Sequence, residues 1–289
     1  MPKLSVALKQ DECLARVCRC APAAWPKLRR TSRLFVWRLE EERLNGLQQQ
    51  LIEERGLVFM DLHELAERGD AESLWMLLSQ GISAKVRNSE GATLLQKATS
   101  SGRTCVLLLL AERGAIVNAK GAYGYTPLHE ACYVGHVAVV ECLLKLKANV
   151  DALSKNGSTP LLVAAREGHT AIVQQLLMAT ADADDGGDKG STPLIVAACE
   201  GEVEVCETLL RFNANVQGLV TDGRHPSPLQ AAAEHGHLEV VRLLLGLGAD
   251  VNYTVDTAGT GSHFTAYDLA VWKSHSDVAA LIADKSKVA

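Results

Sequence analysis

Few residues in this 289-residue chain stand at spacings that do chemistry, and each such group is incomplete. His63-Glu64-Leu65-Ala66-Glu67 opens like a zinc-protease helix, where two histidines one turn apart bind the metal and the glutamate acts as base. The second histidine is absent, and Glu67 stands in its place. Gly186-Gly187-Asp188-Lys189-Gly190-Ser191-Thr192 has the glycines of a phosphate loop. Its Gly-Lys-Ser/Thr order is broken and no strand precedes it, so it reads as a turn. Asp182, Asp184, Asp185 and Asp188 gather carboxylates of the kind calcium takes. Counted from Asp182, the acidic positions five and twelve of a calcium loop fall on Gly186 and Pro193, which leaves an acidic rim. Cys13, Cys18 and Cys20 lack pair-and-pair zinc spacing and a nearby histidine. Cys105, Cys132, Cys142, Cys199 and Cys206 sit at helical positions and read as small apolar fillers. No nucleophile, base and orienting group can be assembled. The expectation is therefore a protein with no catalytic residues, no metal and no cofactor.

Composition narrows the class. Hydrophobic residues are 47% and charged ones 22%, enough for a sizeable core, yet aromatics are only 4%. Such a core is made of small and aliphatic side chains. No apolar stretch approaches a membrane span. Eight cysteines are too dilute for a disulfide scaffold, and the N-terminus lacks the basic start and apolar block of a secretory signal. These features place the protein inside the cell, in cytoplasm or nucleus.

Charge is divided unevenly. Residues 1–39 hold nine Lys/Arg against Asp11 and Glu12, a net of +7; with −5 for the whole chain, residues 40–289 carry −12. An acidic body repels phosphate backbones, so no nucleic acid is expected on it.

The body is periodic. Thr93-Leu94-Leu95, Thr126-Pro127-Leu128-His129, Thr159-Pro160-Leu161, Thr192-Pro193-Leu194, Ser227-Pro228-Leu229 and Thr265-Ala266-Tyr267 follow one another at 33, 33, 33, 35 and 38 residues. One period before Thr93 lies Met60-Asp61-Leu62-His63. Nine residues into the units stand Gly69, Gly102, Gly135, Gly168, Gly201 and Gly236, with Ser274 in the seventh. Each unit predicts two short helices and a turn. Thr or Ser caps the first helix, Pro follows at its first position, and the glycine ends it in the left-handed conformation. The second helix has apolar spacing, as in Leu238, Val241, Leu244 and Leu245, and Gly248-Ala249-Asp250-Val251-Asn252 leads out into an extended turn. Alanines such as Ala164, Ala165, Ala197, Ala198, Ala232 and Ala233 let neighbouring helices approach closely. The extra residues around 220–226 and 254–264 fall in projecting turns and enlarge surface, not core.

Thr126-Pro127-Leu128-His129-Glu130-Ala131 and Gly248-Ala249-Asp250-Val251-Asn252 resemble the ankyrin repeat, and the resemblance covers residues 60–289 in seven copies. It implies an all-α solenoid of helix-turn-helix units with projecting β-turn fingers. It also implies a histidine at His63 and His129 that hydrogen-bonds near the cap. Asparagine hydroxylation occurs in such families at the position of Asn252. Asn156-Gly157-Ser158 and Asn252-Tyr253-Thr254 match glycosylation sequons, unused without a secretory signal. The last unit, 265–289, is short, and Met60-Asp61 departs from the cap motif; atypical end units suit a stack whose outer faces meet water.

Ahead of the repeats, residues 1–31 predict a disordered basic arm. Three roles fit it: an organelle transit segment, a contact to an acidic surface, or a solvated run. Residues 32–58 predict a helix in which Trp37, Leu44 and Leu51 recur every seven residues with Leu47 between. It either covers the open end of the first repeat or forms a short coiled coil, the former being favoured because clean heptads are few.

The resemblance places function on the turn tips and the exposed face of each first helix, as a protein-binding surface. Carried over by position, the candidates are Tyr123, Tyr125, Tyr133, Val134, Lys155, Ser158, Arg166, Glu167, Lys189, Ser191, Cys199, Glu200, Arg224, His225, Glu234, His235, Phe264, Trp272 and Lys273. The expected function is a non-catalytic adaptor, scaffold or inhibitory subunit with a protein partner. The alternative is a substrate-recruiting subunit of an enzyme complex, such as a ubiquitin ligase or kinase, docking through residues 1–58.

Overall fold

The computed structural model describes residues 62–79, 81–218, 226–256 and 263–286. The basic arm, the 32–58 helix, Met60, Asp61, the three N-terminal cysteines, Arg224 and His225 lie outside the described residues.

Helices form where the repeat motif places them. The cap oxygens do the local work: Thr159 Oγ1 accepts from Leu162 N–H at 3.3 Å and Thr192 Oγ1 from Ile195 N–H at 3.4 Å. Thr93–Gln96, Thr126–His129, Ser227–Gln230 and Thr265–Asp268 close reciprocal capping boxes, in which the side chain three residues on also takes up the cap N–H. Pro127, Pro160, Pro193 and Pro228 open their helices at no cost in hydrogen bonds.

Two compact units result. The first holds α1 (Leu62–Arg68), α2 (Ala71–Ser79), α3 (Leu94–Ser100) and α4 (Thr104–Glu112). Here α1 packs on α3 and α2 on α4, burying Leu65, Leu74, Leu94, Leu107 and Leu110. The second holds α5 (Pro127–Val134), α6 (Val137–Lys145), α7 (Pro160–Arg166), α8 (Thr170–Met178), α9 (Pro193–Glu200), α10 (Val203–Arg211), α11 (Pro228–His235), α12 (Leu238–Gly246), α13 (Ala266–Trp272) and α14 (Ser276–Ser286). First helices stack in the order α5, α7, α9, α11, α13, and second helices in the order α8, α10, α12, α14. Ala131, Ala164, Ala197, Ala232 and Ala270 are all fully buried. That row of methyl groups is why the first helices approach so closely and why the core needs few aromatics.

Strand is scarce among the described residues. β1 (Val255–Asp256) pairs antiparallel with β2 (His263–Phe264), Val255 opposite Phe264 and Asp256 opposite His263. Both strands lie in the lengthened stretch of the sixth repeat. Arg87 and Thr93 make one isolated bridge.

The reading of all five helical cysteines as fillers holds for two. Cys132 and Cys206 are buried, while Cys105, Cys142 and Cys199 are half-buried. Burial pushes the Cys132 thiol up, and pushes Cys206 up to about 12. Thiolate is the reactive form, so both should resist alkylation in the native protein.

Left-handed residues end both helices of a unit. The glycines nine residues in have φ between 70 and 87°, and Ser274 takes 64° in the seventh unit without being glycine. Twenty-one residues into the units stand Gly81, Gly114, Lys147, Thr180, Asn213 and Gly248, again all with positive φ. Thr180, at φ 72°, is the costliest, because a β-branched side chain crowds the backbone there. Thr180→Gly is expected to stabilise the protein by about 1 kcal/mol, the strain relieved less glycine's extra entropy in the unfolded chain. A urea titration checks this; loss of stability would mean the Thr180 side chain makes a contact worth more than its strain.

Candidate protein-interaction surface

Counting the capping Thr or Ser as position 0, positions 7 and 8 end each first helix. In the second unit they read Tyr133-Val134, Arg166-Glu167, Cys199-Glu200, Glu234-His235 and Trp272-Lys273. Tyr133, Val134, Arg166, Glu167, Glu200, His235, Trp272 and Lys273 are exposed; Cys199 and Glu234 are half-buried. Helix periodicity turns positions 2 and 6 inward, so 7 and 8 emerge at the rim where the glycine turn begins.

This row is held by a device the sequence reading missed. The residue after the glycine, position 10, reaches back to the position-7 carbonyl of the preceding unit. His169 Nε2 lies 3.3 Å from Tyr133 O, His237 Nε2 2.9 Å from Cys199 O, and His275 Nε2 3.1 Å from Glu234 O. In the first unit Arg103 Nε donates to Glu67 O at 2.9 Å. A carbonyl can only accept, so each ring donates from Nε2. The glycines leave room for these rings. A Cβ on Gly135 would stand 2.7 Å from the His169 ring, on Gly201 2.5 Å from His237 and on Gly236 2.6 Å from His275. Glycine is required twice over, for its φ and for its empty side. The signal was present as Gly168-His169 and Gly236-His237, but periodicity alone gives no cross-unit contact.

That separation can be measured. Gly201→Ala combines left-handed strain with a clash on His237, and should cost about 3 kcal/mol. Gly248→Ala has nothing within 4 Å of its added Cβ and should cost only the strain, about 1–2 kcal/mol. Equal losses in urea denaturation would show that the histidine gives way freely.

The turn before α5 adds two tyrosines. Tyr123 is 73% exposed and has φ 57°, a strained backbone for a tyrosine. Its carbonyl accepts from Lys155 N–H at 2.9 Å, which pins the turn to the next unit's turn. Tyr125 is half-buried and stacks on His129 with ring centroids 5.2 Å apart, so it packs as well as faces out. His129 itself is wholly buried. Its Nδ1 accepts from Thr126 N–H at 3.3 Å, and its Nε2 donates to Ser158 O at 2.9 Å. The expected cap histidine is therefore also a strap to the following turn. His63 does the same in the first unit, Nε2 to Ala92 O at 3.1 Å. Ser158 is half-buried and contributes its backbone; Lys155 is exposed.

At the far end Phe264 stacks on Trp272 at 6.5 Å between centroids. Lys273 Nζ lies 4.6 Å over the Trp272 ring and 3.3 Å from Glu234 Oε1. Trp272 remains 68% exposed, so it does not simply seal that end. Cys199 Sγ lies 3.7 Å from each nitrogen of the His235 ring. His235 Nδ1 is 3.0 Å from Ala231 O and so donates there, leaving Nε2 to accept from the thiol. Burial, then Glu200 and Glu234, raise the Cys199 thiol above its ordinary range, which makes this pair a contact and not an activated nucleophile. The row thus joins Tyr133, Val134, Arg166, Glu167, Cys199, Glu200, Glu234, His235, Trp272 and Lys273. Tyr123, Lys155, Ser158 and Ser191 belong to the turns beside it.

The acidic rim carries mutual repulsion. Burial, then Asp185 and Asp182, raise Asp151 above the usual carboxylate range. A pKa raised on folding means that this charge opposes the fold at neutral pH and ceases to do so on acidification. Among the described residues no group of three or more His, Cys, Asp or Glu is arranged to hold a metal. No helix among them is long and apolar enough to cross a membrane.

Stacked helix pairs with a fixed rim of exposed side chains define a helical repeat protein. Family models described as ankyrin repeats match residues 62–154 and 145–218 (three copies) and 229–282 (many copies). The chain belongs to the ankyrin repeat family. Among 560 matching solved chains is the ankyrin repeat domain of human ASB11, with TM-score 0.67 and 29% identity over 78% of this chain and 96% of that one. No curated protein matches. Ankyrin repeats are protein-interaction modules and are generally non-catalytic, and the all-α repeat architecture here is of that kind.

Proposed function

We propose that the protein is a non-catalytic adaptor, scaffold or inhibitory subunit that takes a protein partner along the position-7 and position-8 row of its second unit. The observation that carries this reading is the pinned carbonyl. Three of the five position-7 residues have their backbone held by a histidine of the next repeat, Tyr133 with its side chain exposed and Cys199 and Glu234 with theirs half-buried. Side chains presented on a fixed backbone lose little entropy on binding, which is how a surface of modest area becomes an affine one. The row is aromatic or apolar at both ends and charged in the middle. A matching partner has two apolar anchors flanking a polar stretch of both signs. Eight cysteines spread thinly over 289 residues suit the reducing cytoplasm or nucleus.

Tyr123 supports the same reading. The strained φ costs stability that glycine would not, which fits a ring kept for a contact outside the fold. Tyr123→Gly should leave the melting temperature unchanged or higher while weakening partner binding about tenfold. The partner is first identified by capture on the full chain and then titrated as a purified protein. Tyr123→Gly that binds as tightly as the parent would remove the turn from the proposed surface.

A further inference from the structure

The strap that holds the row has the wrong residue at one place. In the five repeats of the second compact unit, position 10 is His136, His169, Glu202, His237 and His275. His169, His237 and His275 donate to the position-7 carbonyls before them. The Glu202 carboxylate takes the same place as those rings. A Cβ on Gly168 would stand 2.5 and 2.8 Å from its two oxygens, much as a Cβ on Gly135 or Gly201 would meet a histidine ring. It cannot do the ring's work, because a carboxylate only accepts and the Arg166 carbonyl at position 7 only accepts as well. Among the described residues the Arg166 carbonyl receives no hydrogen bond, and the Glu202 carboxylate has neither a hydrogen bond nor an ion pair. Glu202 is half-buried, so its charge is less well hydrated than one on an open surface. Two acceptors thus lie together in the middle of the row, where the neighbouring repeats pair a donor with an acceptor.

We propose that an arginine of the protein partner supplies the missing donor, an inference that rests on the row being the partner's site. A guanidinium is planar, always charged and carries several N–H groups in a fixed fork. It can donate to the Glu202 carboxylate and the Arg166 carbonyl at once, which puts the strap together from outside the chain. Its bond to the carboxylate is of the stronger, charge-assisted kind. An ammonium is a point charge and matches a pair of acceptors less well. A bare calcium ion is served worse still, since it takes about six to eight oxygens. The surrounding charges favour one added cation. Glu167, Glu200 and Glu202 stand against Arg166, three acids to one base, a net of −2. The arginine falls between Tyr133-Val134 at one end of the row and Trp272 at the other, so it is the central residue of the partner's polar stretch.

The probe is N-acetyl-arginine amide, titrated into the isotope-labelled full chain and followed by backbone amide NMR. Shifts should centre on residues 166–169 and 202 and saturate with a dissociation constant of about 1–10 mM, the range for so small a ligand. N-acetyl-glutamine amide should leave those amides unmoved. Glu202→His, which brings its own donor, and Glu202→Gln, which removes the charge, should each weaken the probe at least about tenfold. The glutamine variant is nearly isosteric and keeps the test open should histidine not fit the place. Shifts confined to the acidic turn at residues 182–188, or equal in Glu202→Gln and the parent, overturn the proposal. So does a parent that takes up the probe only after Arg166→Ala, which would make Arg166 the carboxylate's own occupant. With the purified partner, Glu202→His should weaken binding by a similar factor. Tyr133→Ala that weakens the partner while Glu202→His does not would sink this inference and leave the row standing; no effect from either would remove the row itself.

Discussion

His129→Ala is expected to cost about 4 kcal/mol. The ring is wholly buried and serves three neighbours. It accepts from Thr126 N–H, donates to Ser158 O and stacks under Tyr125. Alanine leaves a buried N–H and a buried carbonyl short of partners, at about 1–3 kcal/mol each, and a cavity the size of an imidazole. His129→Leu separates these effects. Leu162 and Ile195 occupy the same position in the next two repeats and are buried there without trouble. Leucine refills the space and leaves only the hydrogen bonds lost, so it should cost about half as much. Urea denaturation of the three proteins decides the matter. Equal losses for alanine and leucine would mean that packing contributes nothing; a loss below about 1 kcal/mol for alanine would mean that water replaces the strap.

The second large effect concerns binding. Tyr133→Ala and Trp272→Ala are each expected to weaken the partner about thirtyfold or more, roughly 2 kcal/mol, with little change in stability. Both rings are mostly in water in the free protein, so truncation removes no core contact. Aromatic rings carry interface energy because they bury large rigid areas at low entropic cost. Trp272 has the added feature that Phe264 stacks with it and Lys273 Nζ lies over its ring, contacts that restrict the side chain before the partner arrives. Isothermal titration with the purified partner checks both. A Trp272→Ala protein that binds normally but melts lower would show that this ring only closes the end of the stack.

Much of this architecture could be read from residue order. Thr-Pro-Leu at a fixed period, with glycine nine residues on, dictates cap, first turn and stop, because each residue type has one local job that no other does as well. The candidate row was legible for the same reason: positions 7 and 8 follow from helical geometry once the cap is placed. What stayed hidden depends on contacts between units. The His169, His237 and His275 straps, the second use of Gly135 and Gly201, and the tie between Lys155 and Tyr123 each join residues 32 to 41 apart. A local pattern carries no information on that. Cys199 was read both as a helical filler and as a rim candidate, and its half-buried thiol beside His235 fits the rim position. The left-handed Lys147, Thr180 and Asn213 were missed because the rule that names glycine for such turns does not say when the fold will force another residue into one.

The central claim is that partners bind the rim of the first helices and not the backs of the second. Site-specific photo-crosslinking tests it most directly. A photoreactive amino acid placed at positions 133, 200 and 272 should capture the partner. The same probe at 174, 207 and 242, exposed on α8, α10 and α12, should not. Capture from the second set without the first would contradict the account and move the binding surface to the other side of the stack.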